Sequence, residues 1–223
     1  MNEAEARQAI VGAADRLVRT GVLWKNNHGN ISIRIEGTDE ALLTGALLDN
    51  TRAETLARVR LDGEVVSGYI EPQAMEIVHL HTVVYRHRSD VAAVVHAHSP
   101  HATGYAVAGA RMPVYTMALA RLIFTPIPVT DFGPRGSDLE VASIGRTLDA
   151  DPAAKALLLR NHGLLAFAPT IDEAVRIVFA VEENAEASML ARSVGSPREV
   201  PEDLARAAAK RRDEFAKVGL IRR

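Results

Sequence analysis

Val91-Ala-Ala-Val-Val-His96-Ala-His98-Ser-Pro100 is an apolar run that ends in two histidines one residue apart. Side chains alternate across an extended chain, so His96 and His98 project from the same face of a strand. Ser99 followed by Pro100 has the pattern of an N-cap with proline at the first helical position. The stretch therefore predicts a strand that feeds directly into a helix, with two imidazoles at the junction. Neutral imidazole suits zinc and similar divalent ions, and two rings fixed on one strand lose little entropy on binding. Such a pair needs a further ligand. His162, in Arg160-Asn161-His162-Gly163, is the candidate, because it follows a second apolar strand, Ala156 to Leu159, and precedes a turn-forming glycine.

Outward from this stretch, Ile10, Val11, Ala14, Leu17 and Val18 recur at helical spacing and Gly21 supplies a stop, which predicts an amphipathic helix over 3–20. Ile31 to Ile35 alternates as a half-buried strand. Short strands follow around 41–44 and 59–62, with Asp62-Gly63 as a turn. A helix over 75–87 precedes the histidine strand. Ser137-Asp-Leu-Glu140 and Thr170-Ile-Asp-Glu173 fit the capping box ahead of long periodic segments, and Pro201 opens a last polar helix. The mixture predicts an α/β fold, a single three-layer α/β/α domain over residues 1–223 around a central, mainly antiparallel sheet.

Composition narrows the function classes. A formal net charge of -2 offers no electrostatic footprint for nucleic acid or an anionic membrane. No stretch approaches the roughly 20 apolar residues that span a bilayer, and the acidic, helical N-terminus lacks a signal-peptide pattern, so a cytoplasmic location is expected. The absence of cysteine excludes disulfides, thiolate metal sites and cysteine nucleophiles. There is no G-x-G-x-x-G after a strand and no P-loop lysine, so nucleotide cofactors lack their usual support.

Five segments in order, Gly29-Asn30-Ile31-Ser32, Leu42-Leu-Thr44-Gly45, the helix ending in Tyr85-Arg86, Asp90 to Ser99, and Asn161-His162-Gly163, resemble the class II aldolase/adducin family. That family includes sugar-phosphate aldolases and pentose-phosphate epimerases, and the resemblance spans about residues 5 to 192. It implies a class II aldolase-like fold assembled as a homotetramer with active sites between subunits. It implies that His96, His98 and His162 hold one divalent ion per subunit, zinc first, with manganese or cobalt as alternatives. It also implies a small-molecule substrate touched by Gly29, Asn30, Thr44 and Gly45, whose counterparts in the family contact substrate phosphate. Three imidazoles leave coordination positions open, the mark of a catalytic metal that stabilises an enolate.

The sequence departs from the family in places that matter. The family's aldolases carry a glutamate base four residues before the helix histidine. If His81 and Tyr85 keep register, that position is Ile77, and Glu76 comes one residue early, about 100° around the helix. An early helix start or a one-residue insertion would restore Glu76, which is therefore the acid/base expectation. His81 is expected to line the pocket, and His79 to be structural. The serines that help hold phosphate are replaced by Ala74 and Met75 or thereabouts, and the tyrosine donor would fall near Met117, with Tyr115 close by. Arg121 is the candidate for binding a substrate carboxylate, with Arg135 the other arginine in view. Asn161 either orients His162 or serves its turn, and Trp24 is expected in the core.

Retro-aldol cleavage needs a placed base and acid, whereas a decarboxylating substrate arrives already ionised. The losses therefore favour a metal-dependent decarboxylase of a small hydroxylated, aromatic or non-aromatic, carboxylate. The alternative is an aldolase acting on a small hydroxy-carbonyl compound, with pentose-phosphate epimerisation a third reading. A non-catalytic, adducin-like interaction module belongs to another class, and it predicts loss of the histidines that are present here.

Overall fold

The histidine strand lies at the middle of the sheet. In the computed structural model, which describes residues 1–218, seven strands run in the order β4-β3-β2-β1-β5-β7-β6. They are β1 (Gly29–Arg34), β2 (Glu40–Leu43), β3 (Ala57–Arg60), β4 (Val65–Ser67), β5 (Ala93–Ala97), β6 (Ala156–Leu159) and β7 (Gly163–Ala168). Every neighbouring pair is antiparallel. The short strand β4, beyond the Asp62-Gly63 turn, is an element the sequence pattern did not announce.

Period-two alternation divides the core into two layers. Ile31 and Ile33 of β1, Ala93, Val95 and Ala97 of β5, and Leu164, Ala166 and Ala168 of β7 face one side. There they pack on α1 (Glu3–Arg19), α3 (Pro100–Ala108) and α6 (Ile171–Val194). Val94, Leu165 and Phe167 face the other side, against α2 (Glu76–His87) and α5 (Asp138–Ala150). The short α4 (Met117–Ala120) and the polar α7 (Glu202–Lys217) complete the first layer. The three-layer α/β/α architecture expected from the sequence is thus present.

Helix starts follow their capping residues. Asn2 and Glu5 form a full capping box on α1. Ser137 and Thr170 accept the N3 amides of α5 and α6, but their partner glutamates do not close the reciprocal bond. Glu173 reaches Lys155, and Glu140 is drawn into the functional site. At α3, Ser99 occupies the N-cap position without a side-chain bond, and its hydroxyl is buried without a partner. The buried carboxylate of Glu182, from α6, instead accepts the amides of His101 and Ala102.

Antiparallel order gathers the site. The start of β1, the end of β2, the end of β5 and the β6–β7 turn all fall at one end of the sheet.

Candidate metal centre and substrate cavity

His96 and His98 alternate onto the same face of β5, and the β5–β7 ladder brings the turn that carries His162 beside them. Asn161 makes this turn in the left-handed region, at φ 59°. Its amide donates to the Ala106 carbonyl, so of its two expected roles the turn is the one the structure supports. The adjacent Gly163 leaves room for the cluster, because a Cβ there would lie 3.0 Å from the Ala97 carbonyl and 3.3 Å from the His96 ring.

Two of the rings, His96 and His162, are held through Nδ1 so that Nε2 is left for the cluster. His96 Nδ1 donates to the Leu164 carbonyl at 3.0 Å, which leaves Nε2 as the lone-pair nitrogen. His162 Nδ1 lies 2.8 Å from Glu140 Oε1, a carboxylate only 4% exposed. His96 Nε2 and His98 Nε2 are 3.0 Å apart, and one nitrogen from each of the three rings fits within a 4.8 Å span. Two nitrogens bound at about 2.0–2.1 Å to one tetrahedral ion would stand roughly 3.3 Å apart, so the residues present fit a divalent cation. Burial holds His98 down to about 3 and His96 well below the ordinary imidazole range, which keeps both rings in the neutral form that ligates metal.

A cavity of about 320 Å³ adjoins this cluster, lined by His28, Gly29, Asn30, Ala46, Leu47, Glu71, Ala74, Ile77 and Arg135. His28 joins the two: its ring stacks on His98 with centroids 4.4 Å apart and planes 12° from parallel. The sequence reading missed His28, whose position one residue before Gly29-Asn30 was its only signal. Glu71 carries no sequence signal of its own, and Glu140 reads from the sequence as a capping residue.

The structure sorts the other expected residues. Gly29 and Asn30 line the cavity, whereas Thr44 and Gly45 support it from behind. Thr44 Oγ1 accepts the Ile31 amide at 3.0 Å, and the Gly45 carbonyl accepts the Glu71 amide at 2.9 Å. A Cβ on Gly45 would fall 2.1 Å from the Tyr69 carbonyl, so only glycine permits this approach. Glu76 does not line the cavity. A 3-10 turn over Pro72–Ala74 leads into α2 so that Ile77 faces inward, and Glu76 binds Arg135 Nε at 2.6 Å.

His81 is fully enclosed rather than pocket-lining, with both ring nitrogens bonded inside the α2 layer. Arg121 is exposed beside Met117, Arg211 and Phe215 in a separate surface depression, and Arg135 is the arginine that reaches the cavity. Trp24 is 49% exposed and not in the core. His79 is exposed against the Gly63 turn.

Fold and site together define a metal-dependent lyase scaffold. The family model described as class II aldolase and adducin N-terminal domain matches residues 8–189, and the chain belongs to that family. It is 33% identical over 201 residues to a 5-deoxy-D-ribulose 1-phosphate aldolase from Bacillus thuringiensis serovar kurstaki, covering 88% of this chain and 90% of that protein. It is 28% identical over 200 residues to a 5-methylthioribulose-1-phosphate/5-deoxyribulose-1-phosphate aldolase from Rhodospirillum rubrum, covering 88% and 86%. Among solved structures, an L-fuculose 1-phosphate aldolase superposes with a TM-score of 0.83 at 24% identity over 93% of this chain and 95% of that one, a likeness of fold.

Proposed function

We propose that the protein is a class II aldolase that cleaves a ketose 1-phosphate whose far end lacks a hydroxyl. The observation that carries this reading is the cavity beside three convergent imidazoles, which combines a guanidinium, Arg135, and a carboxylate, Glu71, with apolar walls from Ala46, Leu47, Ala74 and Ile77. The two relatives named for 5-deoxy and 5-methylthio sugars support the same chemistry. The sequence reading preferred decarboxylation because the phosphate serines and the helix glutamate were missing. That preference is not supported: the relatives are named as aldolases, Arg135 supplies a cation for phosphate, and Glu71 supplies a carboxylate.

His96, His98 and His162 would hold the ion, with zinc the best match to a three-imidazole set and manganese or cobalt also accepted. A divalent ion there supplies Lewis-acid polarisation of substrate oxygens next to the bond that breaks. Arg135, steadied by Glu76, binds the phosphate as a planar, always-charged donor. Glu71 takes the proton from the hydroxyl on the carbon that leaves as an aldehyde and, once the carbon–carbon bond has broken, returns it to the carbon that kept the electron pair, in the role the missing helix carboxylate would have had. The apolar wall accepts a methyl or thioether tail.

The test is direct. Metal-loaded protein is incubated with 5-deoxyribulose 1-phosphate and L-fuculose 1-phosphate, and dihydroxyacetone phosphate is followed by coupled reduction to glycerol 3-phosphate. Production of dihydroxyacetone phosphate supports the assignment. Carbon dioxide release from hydroxyaryl carboxylates, with no triose phosphate from either sugar, would return the decarboxylase reading.

Exposed apolar side chains on the segments that carry the cavity, Trp24, Leu47, Tyr69, Met75 and Phe132, support a partner subunit over its mouth. A homotetramer of the 24.1 kDa chain is therefore expected by light scattering, and a monomeric mass would remove the inter-subunit site.

A further inference from the structure

A polar chain crosses the apolar layer beneath the cavity. Tyr85 Oη lies 2.7 Å from Ser32 Oγ, Ser32 Oγ lies 2.7 Å from His81 Nδ1, and His81 Nε2 lies 2.9 Å from Asn30 Oδ1. All of these side chains are more than nine-tenths buried. Alternation on β1 turns Asn30 and Ser32 towards α2, while His81 and Tyr85, four residues apart, stack on one face of that helix. Of these four side chains Asn30 is the one that reaches the cavity, at the β1 position registered with His96.

We propose that Tyr85, Ser32 and His81 form a positioning relay that fixes the polarity of the Asn30 amide, so that its Nδ2–H donors face the cavity and receive an anionic substrate oxygen. The direction follows from proton counting. The phenol has one proton, its oxygen already receives the Val94 backbone amide, and Ser32 is its side-chain partner; if it also accepted from Ser32, its proton would be stranded in a dry site, at a cost of about 1–3 kcal/mol. The phenol therefore donates to Ser32, Ser32 donates to His81 Nδ1, and the single imidazole proton must sit on Nε2. Burial holds His81 near 3, so the ring stays neutral and has just one proton to place. Nε2–H then donates to Asn30 Oδ1, and the amide nitrogen is left for the cavity. The ligand class, a phosphate or comparable oxyanion, rests on the aldolase reading above; the relay does not.

Two kinds of measurement separate them. Long-range proton–nitrogen correlation of histidine-labelled holoprotein, with His81 assigned by its loss in His81→Asn, should show the Nε2–H tautomer; an Nδ1–H tautomer overturns the relay. Inorganic phosphate binding, measured calorimetrically on the metal-loaded protein, should weaken by roughly tenfold or more in Ser32→Ala, whose His81 is free to change tautomer, with metal content unchanged. Tyr85→Phe keeps the shape and should move phosphate affinity in the same direction. Asn30→Asp is isosteric and keeps the His81 bond but replaces the donor with an anionic oxygen, and it should lose phosphate binding by a larger factor. Wild-type phosphate affinity in Ser32→Ala and Asn30→Asp would overturn the proposal. If the protein cleaves no ketose phosphate yet these readouts hold, the aldolase assignment fails and the relay stands.

Discussion

At the residue scale, the histidine cluster is braced by a buried carboxylate, Glu140, that stands behind His162. Glu140 holds His162 by Nδ1 and also accepts the Gly136 amide, so one side chain sets both the His162 tautomer and the loop in front of it. Replacing Glu140 with Gln should weaken metal retention by roughly 10–100-fold, checked by competition with a chelator. Glu71 and Glu76 should separate cleanly. Glu71→Gln is expected to lower kcat by about 10²-fold or more with KM less affected, because it removes proton transfer. Glu76→Gln should raise KM for the phosphate ester more than it lowers kcat, because it loosens Arg135. Equal effects on both parameters in both variants would reject this division. The convergence of the three histidines was legible in the sequence because strand alternation and a turn glycine mark them. Glu140 and Glu71 were not. Both precede or open helices, where a carboxylate already has a local reason to be, and only tertiary packing brings Glu140 to His162 and Glu71 to the cavity.

At the element scale, the loop over 132–137 ties the α2 face to the histidine cluster, through Arg135 on Glu76 and the Gly136 amide on Glu140. Gly136 sits at φ 71°, and a Cβ there would come within 2.4 Å of the Glu76 Cβ. Gly136→Ala should therefore cost about 1–3 kcal/mol, through strain and displacement of its neighbour. Thermal unfolding would report the loss, and a raised KM would report the shift of Arg135; an unchanged melting temperature would show that the loop yields. The long elements were readable because α1, α2, β1, β5 and α6 carry unbroken periodicity. β4 has three residues at a sheet edge with little burial, so it left almost no pattern. The register of α2 was the decisive ambiguity. A 3-10 turn over Pro72–Ala74 sets which of Glu76 and Ile77 faces inward, and that rotation depends on backbone geometry that residue spacing does not specify.

At the scale of the whole molecule, stability carries the imprint of the buried imidazole. Above pH 6.5 His81 is neutral folded or unfolded and contributes nothing. Between 6.5 and about 3 the unfolded chain takes up a proton that the native state refuses, so stability falls as pH falls. The slope from this site is up to about 1.4 kcal/mol per pH unit. Urea unfolding at pH 7.5 and pH 5 should show that loss in the native sequence and a smaller one in His81→Asn; parallel behaviour would mean that other groups control acid lability. The antiparallel sheet also places one rim of the molecule at the far end of its strands from the histidine cluster. Turns at Glu36–Asp39, Arg88–Asp90 and Pro169–Thr170 occupy it, and Gly37 there, at φ 75°, has nothing within 4 Å of where a Cβ would sit. Spliced sequences, affinity handles or a relocated pair of chain ends placed at that rim are expected to leave turnover intact.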